Sequence, residues 1–171
     1  MNTHFKILVP VDFSDLSVQV LYKAAEVAER LGARMMVMHV LDSINGDTFF
    51  SGRSRLQSRE DLIDLRIEKE KEIEKLLEDK RWRHLVIRSL FTVGVPDREI
   101  VEQARRHHAS LIIMGTHGKT GRDHFLLGSV AEQVIRKAPC PVLTFNPEVL
   151  SAAVKKGECS SLVEAAEEVL R

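Results

Sequence analysis

The chain has little cysteine: only Cys140 and Cys159, which are not at metal-type spacing. That argues against a disulfide framework or a cysteine zinc site and points to a reducing compartment, although a bridge between the two is not ruled out by spacing alone. No run reaches the ~18 apolar residues of a membrane span. No apolar leader precedes the first predicted strand, which is reached by Ile7. The expected location is the cytoplasm. An excess of charge is missing too. Lys+Arg and Asp+Glu balance at 25 each, so nothing marks the chain as a nucleic-acid binder. Two familiar phosphate loops are also absent. Gly118-Lys119-Thr120 has the ending of G-x-x-x-x-G-K-[ST], but Ile113 stands where its first glycine belongs. Thr116 breaks the dinucleotide fingerprint G-x-G-x-x-G.

What remains is a chain of 171 residues, 44% hydrophobic and 29% charged. A chain of that length forms one domain and buries roughly 70% of its unfolded surface. Phe5 to Val11 reads as a first buried strand with Pro10 at its end, followed by Asp12. Ser14 is a candidate N-cap for a helix over Asp15 to Leu31, and Gly32 is its C-terminal stop. Arg34 to Leu41 is a second buried strand. Its methionines are expected to fill core space, and His39 is expected to pack rather than to ligate. Asp42 to Gln57 is a polar connection. A helix over Ser58 to Lys80 can bury Leu62, Leu65, Ile73, Leu76 and Leu77 beneath a mixed charged face. Leu85 to Val93 is a third strand. Pro96 opens a third helix that runs to about His108, with His107 and His108 expected on the surface. Leu111 to Gly115 is a fourth strand, Val130 to Lys137 a fourth helix and Val142 to Phe145 a fifth strand. The alternation predicts an α/β fold, an open parallel sheet of five strands with helices on both faces. Residues 1–146 form the expected domain. Residues 147–171 form a C-terminal extension, read as a helical tail.

The chain is organised around Leu111 to Ser129, LIIMGTHGKTGRDHFLLGS. An apolar strand ends in Gly115, and Gly118, Gly121 and Gly128 follow. Glycines of this density let backbone approach a ligand closely. Ser129 and Glu132 together spell a capping box, S-x-x-E. Strand, glycine loop and capped helix make a nest of N–H groups suited to phosphate. A merely flexible loop is the plain alternative.

Gly115, Gly118, Gly128 and Ser129 give G-x2-G-x9-G-S. With this spacing the chain resembles the ATP-binding branch of the universal stress protein family. LIIMGTHG, LLGSVAEQV, APCPVLTF and the N-terminal ILVPVDFSDLS carry the resemblance. It covers about residues 4 to 146. The resemblance implies a Rossmann-like, adenine nucleotide alpha hydrolase-like sheet in the order 3-2-1-4-5. Such sheets bind ligands where the strand order reverses, here between strands one and four.

The resemblance also implies a set of binding residues. Pro10, Val11 and Asp12 would wall the adenosine pocket, with Asp12 accepting from adenine or ribose. Val40 would be an apolar neighbour of adenine, and Met114 and Gly115 would border the ribose. Gly118, Gly128, Ser129 and Val130 would offer N–H groups to the phosphates. His117, Lys119 and Arg122 would neutralise phosphate charge, or be simply solvated. Gly128→Val is expected to block the phosphate site by bulk and by lost backbone freedom.

The expected ligand is ATP, or ADP or AMP, and a magnesium or manganese ion would arrive with the phosphates because no protein cage for a metal is visible. The expected role is that of a cytoplasmic, adenine-nucleotide-binding stress-response protein, paired as a homodimer through Pro141 to Phe145. No catalytic residue is identified, since no nucleophile, adenylyl-transfer word or carboxylate pair lies beside the loop. A slow ATPase or adenylyl-transferring enzyme, with Asp12 orienting water, is one alternative. A nucleotide-independent interaction module is the other.

Overall fold

A computed structural model describes residues 5–42, 59–78, 82, 85, 87–116 and 127–146. The order of elements is β1 (Lys6–Pro10), α1 (Asp15–Leu31), β2 (Arg34–Asp42), α2 (Arg59–Leu77), β3 (Ile87–Gly94), α3 (Pro96–Arg106), β4 (Leu111–Gly115), α4 (Ser129–Lys137) and β5 (Val142–Phe145). The strands form one parallel sheet in the order β3-β2-β1-β4-β5. The connection 43–58, the loop 117–126 and the extension from 147 lie outside the described residues.

Each sheet face carries its own core. Ile7, Val9, Val37, Leu111, Ile113 and Phe145 face α1 and α2. Leu8, Met36, Met38, Ile112 and Met114 face α3 and α4. This explains why β1 and β4 are apolar without alternation: a strand covered on both faces has no side left for water. Ile7, Leu8 and Val9 are fully buried, and a side chain of this kind contributes about 1.5–3 kcal/mol. The strand-two methionines sit in these cores as expected.

Local chemistry sets the helix ends. Ser14 caps α1, its side chain accepting from the Ser17 N–H, and Gly32 closes the helix at φ 59°, where only glycine is unstrained. Pro96 stands at the start of α3 after an extended Val95. On α2, Leu65 and Ile73 are buried and Leu76 and Leu77 pack against the core.

Several boundaries differ from the sequence reading. Leu85 is in a turn, with its N–H on the Trp82 carbonyl, so β3 begins at Ile87. Helix α3 ends at Arg106. His107 caps it, and His108 turns left-handed at φ 52° while the Ala109 N–H reaches the Ala104 carbonyl. His107 is therefore half-buried rather than wholly on the surface. The capping box at Ser129 does not form. Gly128 is the N-cap and Ser129 the first helical residue. Glu132 donates its N–H to the Gly128 carbonyl at 2.9 Å and pairs its carboxylate with Arg136 at 3.0 Å.

Candidate functional site

The sheet order reverses between β1 and β4, which are neighbours through Ile7–Leu111 and Leu8–Ile112. Chains leaving adjacent strands toward helices on opposite faces open a crevice at the strands' carboxyl ends. The β1–α1 turn forms one lip, and Thr116 and Gly128, at the two ends of the β4–α4 connection, mark the other.

The β1–α1 turn is held by short-range polar chemistry. Asp12 Oδ1 accepts from the Ser14 N–H at 3.0 Å and from the Ser14 hydroxyl at 2.6 Å. The Ser14 hydroxyl oxygen accepts from the Ser17 N–H at 3.2 Å, and the buried Ser17 hydroxyl donates back to the Ser14 carbonyl at 3.0 Å. The carboxylate thus shapes the turn, as aspartate does in Asx turns, and is itself held in a fixed orientation. Phe13 between them sits at φ 61°. That region costs an ordinary side chain roughly 1–3 kcal/mol and persists only where surroundings enforce it.

Strand β2 supplies the enforcement. The Val11 N–H donates to the Met38 carbonyl at 2.8 Å. The Val11 carbonyl lies 2.8 Å from Nδ1 of His39. A carbonyl only accepts, so Nδ1 carries the proton. His39 is 2% exposed, its ring centroid 4.6 Å from that of Phe13 and 6.5 Å from that of Phe91. Lys69 of α2 stands 5.0 Å over the other component of this stack, the Phe13 ring. His39 does pack, as the sequence suggests, but its bond to Val11 was not visible there. Nothing in a strand pattern reveals which backbone group a buried histidine will reach.

The second lip is pinched at its base. The Thr116 N–H donates to the Phe145 carbonyl at 2.9 Å, its hydroxyl to the same oxygen at 3.3 Å, and the Gly128 N–H donates to the Thr116 carbonyl at 2.8 Å. The chain that leaves β4 therefore returns to the same point before α4 begins. Thr116, which the sequence reading treated only as a mismatch to a motif, is the clasp of the glycine loop.

At α4 no side chain caps the helix. The first N–H groups of a helix have no partner within it, so the entrance to α4 keeps donors available and carries the positive end of the helix dipole. The Gly128 N–H is committed to Thr116. Ser129 and Val130 follow it at this end. Gly128 lies at φ −61°, ψ 146°, a conformation open to any residue. Its backbone therefore does not require glycine.

Among the sequence-chosen residues, Pro10, Val11 and Asp12 are at the end of β1, and Met114 and Gly115 end the neighbouring β4. Val40 is on β2, half-buried, and packs on the α3–α4 face that also holds Met114. Ser129 is exposed and Val130 half-buried at the start of α4. His117, Gly118, Lys119 and Arg122 lie outside the described residues. Among the described residues, no three His, Cys, Asp or Glu side chains converge as a metal site. No described helix is long and apolar enough to cross a membrane.

Comparison with known proteins places these features in context. The sequence profile of the Universal stress protein family matches residues 4–146. Universal stress protein MJ0531 of Methanocaldococcus jannaschii is 38% identical over 146 residues, 83% of this chain and 82% of the relative. Universal stress protein MJ0577 of the same organism is 34% identical over 153 residues, 81% of this chain and 92% of the relative. Its solved structure superposes with a TM-score of 0.68, covering 83% of this chain and 95% of that one, at 30% identity. A universal stress protein from Archaeoglobus fulgidus, solved in complex with dAMP, superposes with a TM-score of 0.58 at 29% identity, covering 82% and 96%.

Proposed function

The chain belongs to the universal stress protein family, and from that premise we propose that it binds an adenine nucleotide (ATP, ADP or AMP) in the crevice between β1 and β4. The observation that carries this reading is the clasp between Thr116 and Gly128 at the entrance to α4, which has no side-chain cap, at the point where the strand order reverses. The Archaeoglobus relative solved with dAMP supports the same ligand class. Phosphates would meet the N–H groups of Ser129 and Val130 and those of the glycine loop. The fixed Asp12 carboxylate would accept from ribose or adenine, beside Pro10, Val11, Val40, Met114 and Gly115. A magnesium or manganese ion would be carried in by the phosphates.

The magnitudes suffice. Hydrogen bonds to charged groups contribute about 1.5–3 kcal/mol each, and micromolar affinity needs about 8.2 kcal/mol. The proposed biological role is that of a cytoplasmic stress-response protein whose nucleotide occupancy is the signal, working as a homodimer through β5. The nucleotide-binding domain would be residues 1–146, with 147–171 as an appended segment.

Calorimetric titration with ATP and magnesium tests the binding. Saturable one-to-one binding, weakened by an Asp12→Asn exchange, is the expected result. Sustained turnover of ATP that disappears in Asp12→Asn would instead favour an enzyme.

A further inference from the structure

The pole of the molecule opposite the crevice carries a different chemistry. Lys6 opens β1, Arg34 opens β2 and Arg88 is the second residue of β3. Lys6 is paired in register with Arg34, and Arg88 with Met36, two residues beyond Arg34. Residues two apart on a strand share a face. The three cations therefore stand on one face of three adjacent strands, the face that Leu8, Met36 and Leu90 turn toward α3 and α4. Strands lie about 4.8 Å apart, so the row spans about 10 Å.

The carboxyl end of α3 meets this row. Lys6 Nζ donates to the His107 carbonyl at 2.9 Å. Arg106 and His108 flank His107, and both are exposed, as are Arg34 and Arg88. Burial, then Arg88, Arg106, Lys6 and His108 in that order, hold the His107 imidazole below its ordinary pKa. The charged neighbours that act on it, from β1, β3 and its own turn, are all cationic. Among the described residues, no carboxylate forms an ion pair with Lys6, Arg34, Arg88 or Arg106. The helix dipole favours cations at the end of α3 and accounts for Arg105 and Arg106. It does not account for arginines recruited from β2 and β3.

We propose that Lys6, Arg34, Arg88 and Arg106 form a docking surface for an acidic, aspartate- or glutamate-rich segment of a partner protein. Charge complementarity selects that occupant. A nucleic acid would call for a longer basic track, of the six to ten phosphate contacts typical of such interfaces, and for the basic excess that this neutral chain lacks. A bilayer surface would favour apolar side chains beside the charges. Among the described residues, the large exposed apolar ones, Ile63, Ile67, Val93, Leu127 and Ile135, all lie on other elements or at other positions. The surface is at the opposite ends of the strands from the nucleotide crevice and does not depend on that crevice being occupied.

The test is fluorescence anisotropy with a short labelled polyglutamate peptide, on the full chain, at low and moderate salt. Binding that weakens with salt is expected, and Arg88→Glu with Arg106→Glu together should weaken it by about tenfold or more. Arg88→Gln with Arg106→Gln should give a smaller loss. Both pairs replace exposed side chains, and circular dichroism checks that the fold is kept. On saturation with peptide, the His107 ring resonance should titrate at a higher pH, because bound carboxylates offset the arginines. The proposal is overturned if the peptide does not bind at low salt, or if charge reversal in a folded protein leaves its affinity unchanged. Tighter binding of a single-stranded oligonucleotide, or of phosphatidylserine vesicles, than of the peptide would overturn it equally.

Discussion

His39 reaches from β2 to hold the carbonyl of Val11, and its ring backs the left-handed Phe13. Those contacts fix the turn that presents Asp12. His39→Phe keeps the ring and most of the volume but leaves the Val11 carbonyl without its donor, a loss of about 1–3 kcal/mol. Urea unfolding should show that loss, and nucleotide affinity should fall with it. A variant unchanged in both would reduce the imidazole to a space filler. His107 makes a prediction of a different kind. Its pKa is lowered in the folded protein from the ordinary value of 6.5, so the unfolded chain binds the proton more readily. Its contribution is complete above about pH 6.5 and is lost as pH falls through the depressed value. Unfolding midpoints should therefore drop between neutral and mildly acid pH, and the slope should flatten in His107→Gln. An equal slope in both proteins would remove His107 as the cause.

At the scale of elements, the entrance to α4 decides the phosphate reading. Gly128→Val should abolish measurable nucleotide binding while the protein stays folded, since its side chain would stand between a phosphate and the Ser129 and Val130 N–H groups, and two lost donors remove about 3–6 kcal/mol. The sequence suggested two reasons for this, bulk and lost backbone freedom. At φ −61° only bulk survives, so Gly128→Ala should be milder than Gly128→Val. Retained wild-type affinity in folded Gly128→Val protein, measured by calorimetry, would reject the placement. The same region shows where sequence reading stops. The doubly covered strands β1 and β4, the Ser14 and Gly32 caps and the Pro96 start were all legible, because each follows from a local pattern. The shift of the α4 cap from Ser129 to Gly128 was not. Both residues are acceptable N-caps, and the choice is made by Thr116, which draws the Gly128 N–H from across the loop. The clasp and the His39 bond join residues distant in sequence, and no periodicity encodes such pairs.

For the whole molecule, the strand order β3-β2-β1-β4-β5 came from family resemblance rather than from composition, since alternation alone fixes a parallel sheet but not its order. The order leaves β5 at an edge, with Val142, Leu143 and Thr144 only half-buried. An uncovered apolar edge invites pairing with another chain. Sedimentation at micromolar concentration should find the dimer, and a monomer there would contradict pairing through β5. So arranged, the sheet has the proposed nucleotide crevice at the carboxyl ends of its strands and the cations Lys6, Arg34 and Arg88 at the other end.

The most direct test of the central claim is to denature freshly purified protein and identify any released small molecule by chromatography with mass spectrometry. Near-stoichiometric ATP or ADP is the result this account predicts. An empty protein that also fails to take up added ATP with magnesium would contradict it and leave the clasped loop between Thr116 and Gly128 as a structural feature alone.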